Sequence, residues 1–384
     1  MKVLEYLEDH MLSQLTEEYG IRVKDYPALE VFTLNYNQID HGTLGHKSHP
    51  IIMECRGLII SYNYHVVSRS FDRFFNIGEV PDITGKFDIS GAEGFEKLDG
   101  SLINIYYWKD KWHIATRGTA DASGENYSGR TFRELVLEAF GCPDMETFTN
   151  ALEYQRLSKT HTHIFELIHP DNRIVTKYAV PQMVLLGMRN LVSGEIHISP
   201  PATILMKFEG LYQTAGLALA PRFPEHKTFT TMEDLTAYVE GLSGLQEGLV
   251  LYDYNSGVRV KIKNSVYLAV HRLRGESVIN GNRIRDLVVT GETGEFLLYF
   301  PEYVKDVAPY IQAYEEMLEN FIIIYESYKD IEDQKEFALA VKGYGFSWVL
   351  FKARSMDTNP VRIFTEARQT LRNKTLEGFM SSDD

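Results

Sequence analysis

The sequence predicts an α+β fold with largely antiparallel sheets, followed by a small all-helical C-terminal domain. Up to about residue 270, short apolar runs alternate with turn residues in the manner of β-hairpins. After about residue 275, turn residues become sparse and charged segments with helical periodicity follow one another. Because 384 residues suffice for two domains, we expect one domain over residues 1–270 and a second over residues 271–384.

The predicted N-terminal elements are one helix and two hairpins. Apolar periodicity predicts a helix over Val3–Tyr19. Apolar runs on either side of Asn63 predict a hairpin within Ile51–Ser70. Runs rich in Ile, Tyr and Trp predict a second hairpin, Ser101–Trp108 with Trp112–Thr116. Further short strands are expected at residues 163–168, 183–189, 248–253 and 259–262.

The other predicted helices depend on the same periodicity. Ser128–Phe140 and Met232–Leu242 are amphipathic segments within the strand-rich part of the chain. In the C-terminal part, helices are expected at Tyr303–Tyr328, Glu332–Val341 and Val361–Glu377. These segments carry many charges, which is typical of helices with one solvated face.

The charge distribution argues against a protein that coats nucleic acid through its overall charge. The formal net charge is −14, which repels a polyanion at long range. Residues 258–275, in contrast, contain five Lys or Arg residues and no acid. An acidic chain with one concentrated basic stretch indicates a focused anion site.

The sequence contains no feature of a secreted or membrane protein. Its two cysteines, Cys55 and Cys142, exclude a disulfide framework and a Cys-rich zinc site. The first ten residues are acidic and mixed, without the basic start and apolar core of a signal peptide. No run approaches the roughly 18 apolar residues of a membrane span. We therefore expect a cytoplasmic protein with no membrane partner.

One five-residue segment, Lys97-Leu98-Asp99-Gly100-Ser101, predicts the chemistry. Lys-x-Asp-Gly is the pattern with which a covalent nucleotidyltransferase attacks the α-phosphate of a nucleotide. So short a pattern also arises by chance, and it therefore needs support from the rest of the chain. A lysine nucleophile must be neutral, so other positive groups are expected beside the phosphates. Carboxylates are expected as well, to bind a metal and the nucleoside.

The downstream sequence offers both kinds of group. Arg259, Lys261 and Lys263 alternate with apolar residues, which places the three cations on one strand face. Such a row suits a phosphate chain, but it is also typical of a solvated edge strand. Glu247 lies at a strand entrance, where a glutamate is usually exposed. Glu166 lies inside an apolar strand and must be ion-paired or functional if its face is buried.

The order of the motifs resembles the covalent nucleotidyltransferase superfamily of DNA ligases, RNA ligases and mRNA capping enzymes. Within it, the chain is most similar to the RNA ligase 1 family, named for the tRNA-repair ligase of T-even phages. The resemblance covers about residues 50–270. It is carried, in chain order, by Glu54-Cys55-Arg56-Gly57, Ser68-Arg69 with Phe74-Phe75-Asn76, Lys97 to Ser101, Phe165-Glu166, Asn172-Arg173-Ile174-Val175, Glu247-Gly248 and Lys261-Ile262-Lys263.

The resemblance implies a role for each matching residue. Lys97 is expected to form a lysyl-AMP adduct, with Asp99 and Gly100 completing its motif. The residues expected to bind ATP or AMP are Arg56, Arg73, Lys97, Asp99, Arg117, Glu166, Lys261 and Lys263. Glu247 is expected to bind the metal, with Asp99 and Glu166 as further candidates, and Tyr267 is an auxiliary or RNA-binding candidate. Arg73 and Arg117 stand where the phage enzyme has lysines, so phosphate there would meet a planar fork rather than a point charge.

The implied activity is ATP-dependent joining of a 5′-phosphate and a 3′-hydroxyl RNA end, in RNA or tRNA repair. ATP and Mg²⁺, which Mn²⁺ can replace, are the implied cofactors. The implied partners are single-stranded RNA ends or nicked tRNA, with single-stranded DNA as a further candidate. We expect a monomer, in the host cytoplasm if the chain is encoded by a phage.

Two alternatives belong to different classes. A DNA ligase or a GTP-using capping enzyme would share the motifs, but these enzymes usually append an OB-fold after the last lysine motif, where this chain reads as helical. A catalytically silent nucleic-acid-binding protein would tolerate the loss of Lys97 or of the carboxylates, and this chain retains all of them.

Overall fold

The strands of the described residues all lie before residue 264, and the C-terminal part of the chain is helical. The computed structural model divides into two units, Met1–Leu268 and Ala269–Asp384. It describes residues 1–37, 47–198, 203–209, 219–222, 224–243, 245–275, 279–356, 360–367 and 369–380. Within these ranges every strand lies in the first unit, so the α+β fold class with a helical C-terminal part is confirmed. No helix of the described residues is both long and apolar enough to cross a membrane.

The first unit begins with a small sheet and three short helices. The elements are α1 (Lys2–Leu7), α2 (Leu12–Tyr19), β1 (Arg22–Tyr26), β2 (Val31–Asn35), α3 (Pro50–Glu54), β3 (Arg56–Ser61) and β4 (Val66–Ser68). Strands β1 to β4 pair antiparallel in chain order. The helices contribute to a core around the buried side chains of Val3, Leu15 and Leu58.

The helix predicted over Val3–Tyr19 is two helices. The chain leaves the helical conformation at Met11, whose φ is −82° and ψ is 156°. Asp9 and His10, just before it, are weak helix formers. The Gln14 side chain accepts a hydrogen bond from the Met11 N–H at 2.8 Å, which caps the start of α2. The hairpin predicted within Ile51–Ser70 is present as β3 and β4, but its first residues form α3 instead.

The rest of the first unit contains two larger sheets. Its elements are β5 (Phe75–Asn76), α4 (Pro81–Thr84), β6 (Ala92–Lys97), β7 (Ser101–Trp108), β8 (Lys111–Thr116), α5 (Phe132–Phe140), α6 (Met145–Tyr154), β9 (His161–Ile168), β10 (Gln182–Asn190), β11 (Ile196–His197), α7 (Thr203–Glu209), β12 (Leu219–Arg222), β13 (His226–Thr228), α8 (Met232–Glu240), β14 (Gly248–Asp253) and β15 (Arg259–Lys263). Helix α9 (Ser265–Arg274) follows, and the division between the two units falls within it, after Leu268.

Among the described strands, one of these sheets has the order β11–β10–β9–β7–β8, with β12 beside β10. The other has the order β13–β6–β14–β15–β5. All pairings in them are antiparallel except β10–β12 and β15–β5. Helices α5 and α6 contribute to a core with β7, β8 and β9 that includes Trp112, Phe140 and Phe165. The predicted hairpin of β7 and β8 is present, with Trp108 opposite Lys111.

The second unit is helical throughout its described residues. Its helices after α9 are α10 (Gly281–Thr290), α11 (Thr293–Tyr299), α12 (Val304–Tyr328), α13 (Gln334–Val341), α14 (Ser347–Met356), α15 (Pro360–Glu366) and α16 (Gln369–Met380). The long helix predicted at Tyr303–Tyr328 is α12, and the segment Val361–Glu377 contains two helices rather than one. Phe296, Phe321 and Phe364 are buried in this unit.

Candidate active site

Lys97 lies where the two larger sheets are joined. It is the last residue of β6 in the five-stranded sheet, and three intervening residues connect it to the start of β7 in the other sheet. The connecting turn packs closely against β9. A Cβ atom on Gly100 would lie 2.4 Å from the carbonyl oxygen of Leu167, so this turn requires glycine.

Three neighbouring strands bring the lysines together. In the antiparallel ladders, Gly248 of β14 lies between Lys97 of β6 and Lys263 of β15. Because residues two apart on a strand share a face, Lys261 lies on the same side of the sheet as Lys263. Gly248 has a φ of 140°, and a Cβ there would lie 2.1 Å from the Ile262 carbonyl oxygen. The close spacing of the strands therefore depends on a glycine between the two lysines.

Glu247 holds two of these lysines by ion pairs. Its Oε2 lies 2.7 Å from the Lys97 Nζ, and its Oε1 lies 2.8 Å from the Lys263 Nζ. The residue is only 4% exposed. Burial would raise the pKa of Glu247, but the two lysines outweigh burial and hold that pKa below its ordinary value. The structure therefore excludes the interpretation of Glu247 as a solvent-exposed glutamate at a strand entrance.

The lysines face a cavity of about 400 Å³, which is within the range of small-molecule sites. Most of its charged lining residues are cations, and the rest of its wall is largely apolar and aromatic. The charged residues are Arg56, Glu96, Lys97, Arg117, Glu166, Arg259, Lys261 and Lys263, and the aromatic ones are Phe71, Phe74, Phe95 and Tyr252. Such a wall can take a flat apolar group together with a multiply charged anion.

Two cations of the cavity are strongly perturbed. Burial, reinforced by the charges of Lys97 and Lys263, lowers the pKa of Lys261 to about 8. Burial also lowers the pKa of Arg259 to about 9. The Arg259 guanidinium lies 4.1 Å from the centre of the Phe71 ring. A bound anion would stabilise the charged forms of Lys261 and Arg259, because a nearby opposite charge offsets the cost of burying a cation.

Glu166 is the carboxylate of the β9 strand that faces this cavity. It is partly buried and stands opposite Leu102 of β7 and Val184 of β10 in the ladders. Burial raises the pKa of Glu166 to about 8, with Lys97 opposing the shift and Glu247 adding to it. A protonated carboxyl can donate a hydrogen bond as well as accept one, which suits a sugar hydroxyl.

Asp99 stabilises the lysine turn, which is the connection of residues 98–100 between Lys97 and β7. It is 2% exposed, and its Oδ2 accepts hydrogen bonds from the N–H groups of Val175 (2.7 Å) and Thr176 (2.6 Å). Its Oδ1 accepts a hydrogen bond from the Tyr267 hydroxyl at 2.7 Å. The Asp99 N–H donates to the Tyr178 hydroxyl at 3.2 Å. Both carboxylate oxygens are thus committed to the protein, which fits a positioning role better than contact with a nucleotide or a metal.

An arginine cluster surrounds Tyr36 at the end of β2. The guanidinium carbons of Arg73 and Arg117 lie 4.3 and 4.4 Å from the centre of the Tyr36 ring. Arg117 also lines the cavity, whereas Arg73 is not among its lining residues. A Cβ on Gly57, whose φ is 68°, would lie 3.1 Å from the Arg117 backbone, so glycine allows that strand end to approach.

The sequence pattern of the RNA ligase family matches residues 54–267. This match covers more than half of the chain and includes Lys97, Glu166, Glu247, Lys261 and Lys263. The chain belongs to the RNA ligase family.

Proteins of similar sequence come from viruses and a bacterium. A predicted bifunctional polynucleotide kinase/RNA ligase of Autographa californica nuclear polyhedrosis virus is 34% identical over 79% of this chain and 42% of its own length. An RNA ligase of Rhodothermus phage RM378 is 26% identical over 89% of this chain and 90% of its own length. A predicted RNA ligase of Thermovibrio ammonificans is 28% identical over 58% of this chain and 54% of its own length. The chain thus spans about half the length of two of these relatives.

Solved structures similar to this RNA ligase family member are more distant. An archaeal ATP-dependent RNA ligase has a TM-score of 0.41 and 14% identity, with 90% of this chain and 79% of that chain covered. A Naegleria gruberi RNA ligase mutant with AMP and Mn has a TM-score of 0.38 and 14% identity, with 53% and 58% covered.

In this RNA ligase family member, most of the residues predicted from the sequence meet at one cavity. Those that line it are Arg56, Lys97, Arg117, Glu166, Lys261 and Lys263, and Glu247 pairs with two of them. Asp99, Arg73 and Tyr267 lie outside the lining. Sequence reasoning did not single out Tyr36, whose position beside two arginines from distant segments has no local signal.

The carboxylates are too few for a metal site made by protein alone. Among the described residues, no group of three or more His, Cys, Asp or Glu side chains could hold an ion. Mg²⁺, however, usually takes one or two carboxylates and completes its shell with phosphate oxygens and water. Glu166 in its ionised form and Glu247, on exchanging one of its two lysines for the ion, fit that requirement, while the oxygens of Asp99 are occupied by three protein donors.

Proposed function

We propose that this chain is an ATP-dependent RNA ligase that joins 5′-phosphate and 3′-hydroxyl ends. The observation that carries the proposal is the meeting of Lys97, Lys263 and Glu247 beside a cavity rich in cations. Membership of the RNA ligase family supports the same conclusion. We assign the adenylyltransferase domain to residues 1–270 and a helical domain to residues 271–384.

In the proposed first step, Lys97 loses its ammonium proton to solvent as its ion pair with Glu247 opens, and the neutral amine attacks the α-phosphorus of ATP. A bond forms between Nζ and phosphorus, the bond to the β-phosphate oxygen breaks, and pyrophosphate leaves. Lys261, Lys263 and the arginines of the cavity stabilise the negative charge that develops on the phosphates. Glu166 would bind the ribose, and the apolar wall would take the base.

In the second and third steps, the chain transfers and then releases AMP. The 5′-phosphate of an RNA strand attacks the lysyl-AMP phosphorus, which returns the electron pair to Lys97 and yields an RNA-adenylate. The 3′-hydroxyl of the other end then attacks the 5′-phosphate, and AMP leaves. Glu247 and Glu166 would hold Mg²⁺, or Mn²⁺ in its place, and the ion would neutralise phosphate charge when bound.

Intact mass after incubation with ATP and Mg²⁺ tests the first step. We expect a gain of one AMP in the wild-type chain and in Lys86→Ala, which changes an exposed lysine outside the cavity. We expect no gain in Lys97→Ala. An adduct on the Lys97→Ala chain would contradict the mechanism, and a GMP adduct from GTP would favour a capping enzyme instead.

The acceptor and the setting are further parts of the proposal. We propose that the chain acts as a monomer in the cytoplasm, on single-stranded RNA ends or nicked tRNA in RNA repair. Single-stranded DNA is a second candidate acceptor. Ligation assays with matched RNA and DNA strands, each with a 5′-phosphate, separate these acceptors. Equal rates on linear RNA and on nicked tRNA would argue against a repair role specific to tRNA.

A further inference from the structure

A second cavity shares Arg117 with the candidate active site. It has a volume of about 600 Å³ and lies in the N-terminal part of the first unit. Its lining residues are Thr16, Arg22, Val23, Lys24, Thr33, Asn35, Arg117 and Gly118. Among these described residues there are three cations and no acid. Of these lining residues, only Arg117 is assigned a role by the resemblance to the RNA ligase family.

The strand pairing of β1 and β2 builds the floor of this cavity. Arg22 stands opposite Asn35, and Lys24 stands opposite Thr33. Because side chains alternate along a strand, Arg22 and Lys24 project from the same face of β1. The acid that follows Lys24, Asp25, projects from the other face, where it accepts a hydrogen bond from the Tyr62 hydroxyl at 2.7 Å.

The cations of this second cavity are not neutralised by the described part of the protein. Arg22, Lys24 and Arg117 form no ion pair with any residue in the described ranges, and Lys24 and Arg117 contact aromatic rings instead. Burial, with the nearby guanidinium groups of Arg56 and Arg22, lowers the pKa of Arg117. Arg22 is therefore near enough to Arg117 for their charges to interact, and both would gain from a bound anion.

We propose that the second cavity binds phosphates of the RNA strand whose 5′-phosphate end enters the active site. This inference rests on the proposed ligase function. A chain with a net charge of −14 repels RNA at long range, so binding requires locally concentrated cations. Arg22 and Lys24 supply the charge, and Asn35, whose Oδ1 accepts a hydrogen bond from the Gly57 N–H, presents its amide N–H₂ group as a donor of the kind that contacts phosphate oxygens. Because Arg117 lines both cavities, one RNA strand can extend from the active-site cavity into the second cavity along a continuous positively charged surface.

Binding of a 5′-phosphorylated oligoribonucleotide, followed by fluorescence anisotropy over a range of salt concentrations, tests the proposal. The test variant is the double substitution Arg22→Ala and Lys24→Ala. The control is Lys86→Ala with Lys111→Ala, which removes two exposed lysines of the same unit from outside both cavities. A third variant, Arg22→Lys with Lys24→Arg, keeps both charges.

We expect the test variant to bind RNA about tenfold more weakly and its salt slope to fall by about 1.4, since each lost phosphate contact on a single strand accounts for about 0.7. The control and the charge-preserving variant should keep both values. Lysyl-AMP formation from ATP should stay within about twofold of wild type in every variant. Its absence in the wild-type chain would refute the ligase proposal, whatever the second cavity binds.

Two outcomes would overturn the second-cavity proposal. One is equal RNA affinity and salt slope in the test and control variants. The other is a parallel loss of lysyl-AMP formation in the test variant, which would assign the cavity to the nucleotide. Circular dichroism spectra that match wild type would show that the double variant folds.

Discussion

Loss of the Tyr267 hydroxyl should cost more than loss of an equally buried hydroxyl elsewhere. Tyr267 donates to the Asp99 carboxylate at 2.7 Å, whereas Tyr106 donates to the neutral Ala120 carbonyl at 2.7 Å. Both tyrosines are buried. A hydrogen bond to a charged group contributes about 1.5–3 kcal/mol and a neutral one about 1 kcal/mol. We therefore expect Tyr267→Phe to lower the free energy of unfolding by about 2 kcal/mol and Tyr106→Phe by about half as much.

Urea titration of the full chain measures this difference if the signal comes from one unit. The chain has three tryptophans, and Trp348 lies in the second unit. In a Trp348→Phe background, fluorescence reports only on Trp108 and Trp112, which both lie in the first unit. The midpoint and the slope together then give the free energy of unfolding of that unit.

The same two variants separate stability from catalysis. Asp99 is two residues from Lys97, so a carboxylate that has lost one of its three donors should hold the lysine turn less firmly. We expect Tyr267→Phe to slow lysyl-AMP formation and Tyr106→Phe to leave it unchanged. Equal losses of stability in the two variants, or an unchanged adenylylation rate in Tyr267→Phe, would refute the reasoning.

Three further substitutions test the electrostatics and the backbone of the site. Burial raises the pKa of Glu166 to about 8, so its contribution to stability is present below about pH 4 and is lost as the pH rises towards 8. This component changes the free energy of unfolding by up to about 1.4 kcal/mol per pH unit, and Glu166→Gln should remove it from urea titrations between pH 5 and 8. If the free energy of unfolding depended on pH equally in both proteins, the raised pKa of Glu166 would be contradicted. Because the pKa of Lys261 is about 8, the KM for ATP should rise above pH 8 in the wild type. Lys261→Arg should keep that KM level to pH 9, and a parallel rise in both proteins would argue against the role of Lys261. Gly248→Ala would put a Cβ 2.1 Å from the Ile262 carbonyl oxygen. It should lower stability by about 1–3 kcal/mol and abolish the AMP adduct, whereas Gly124→Ala, with only ordinary contacts, should change neither.

The elements that local patterns determine are the ones that the sequence predicts well. Strand β14 has the predicted ends, because its alternation and flanking turn residues lie within a few positions of one another. The cation row of β15 is predicted for the same reason. The helix over Val3–Tyr19 is predicted with the wrong boundaries, since its apolar periodicity continues across Met11, where weak helix formers and the Gln14 cap interrupt the helix.

The parts that local patterns cannot predict depend on contacts between distant segments. Asp99 bonds to Val175 and to Tyr267, which are 76 and 168 residues away along the chain. No residue close to Asp99 in the sequence indicates that its carboxylate oxygens accept hydrogen bonds from these distant donors. The position of Tyr36 beside Arg73 and Arg117 likewise requires three separate segments to meet. Similarly, the ion pairs of Glu247 follow from strand register, which composition does not encode.

The short passage from β6 to β7 restricts how the length of this chain can change. Three residues separate Lys97 from the first residue of β7, and the Gly100 position leaves no room for a Cβ. One added residue would either turn the lysine to the opposite face of its sheet or push the turn into β9. In a library of single-residue insertions, functional clones should therefore be absent from this turn. They should accumulate at the exposed residues 127–129 of the connection between β8 and α5, which lie ten or more residues beyond Arg117.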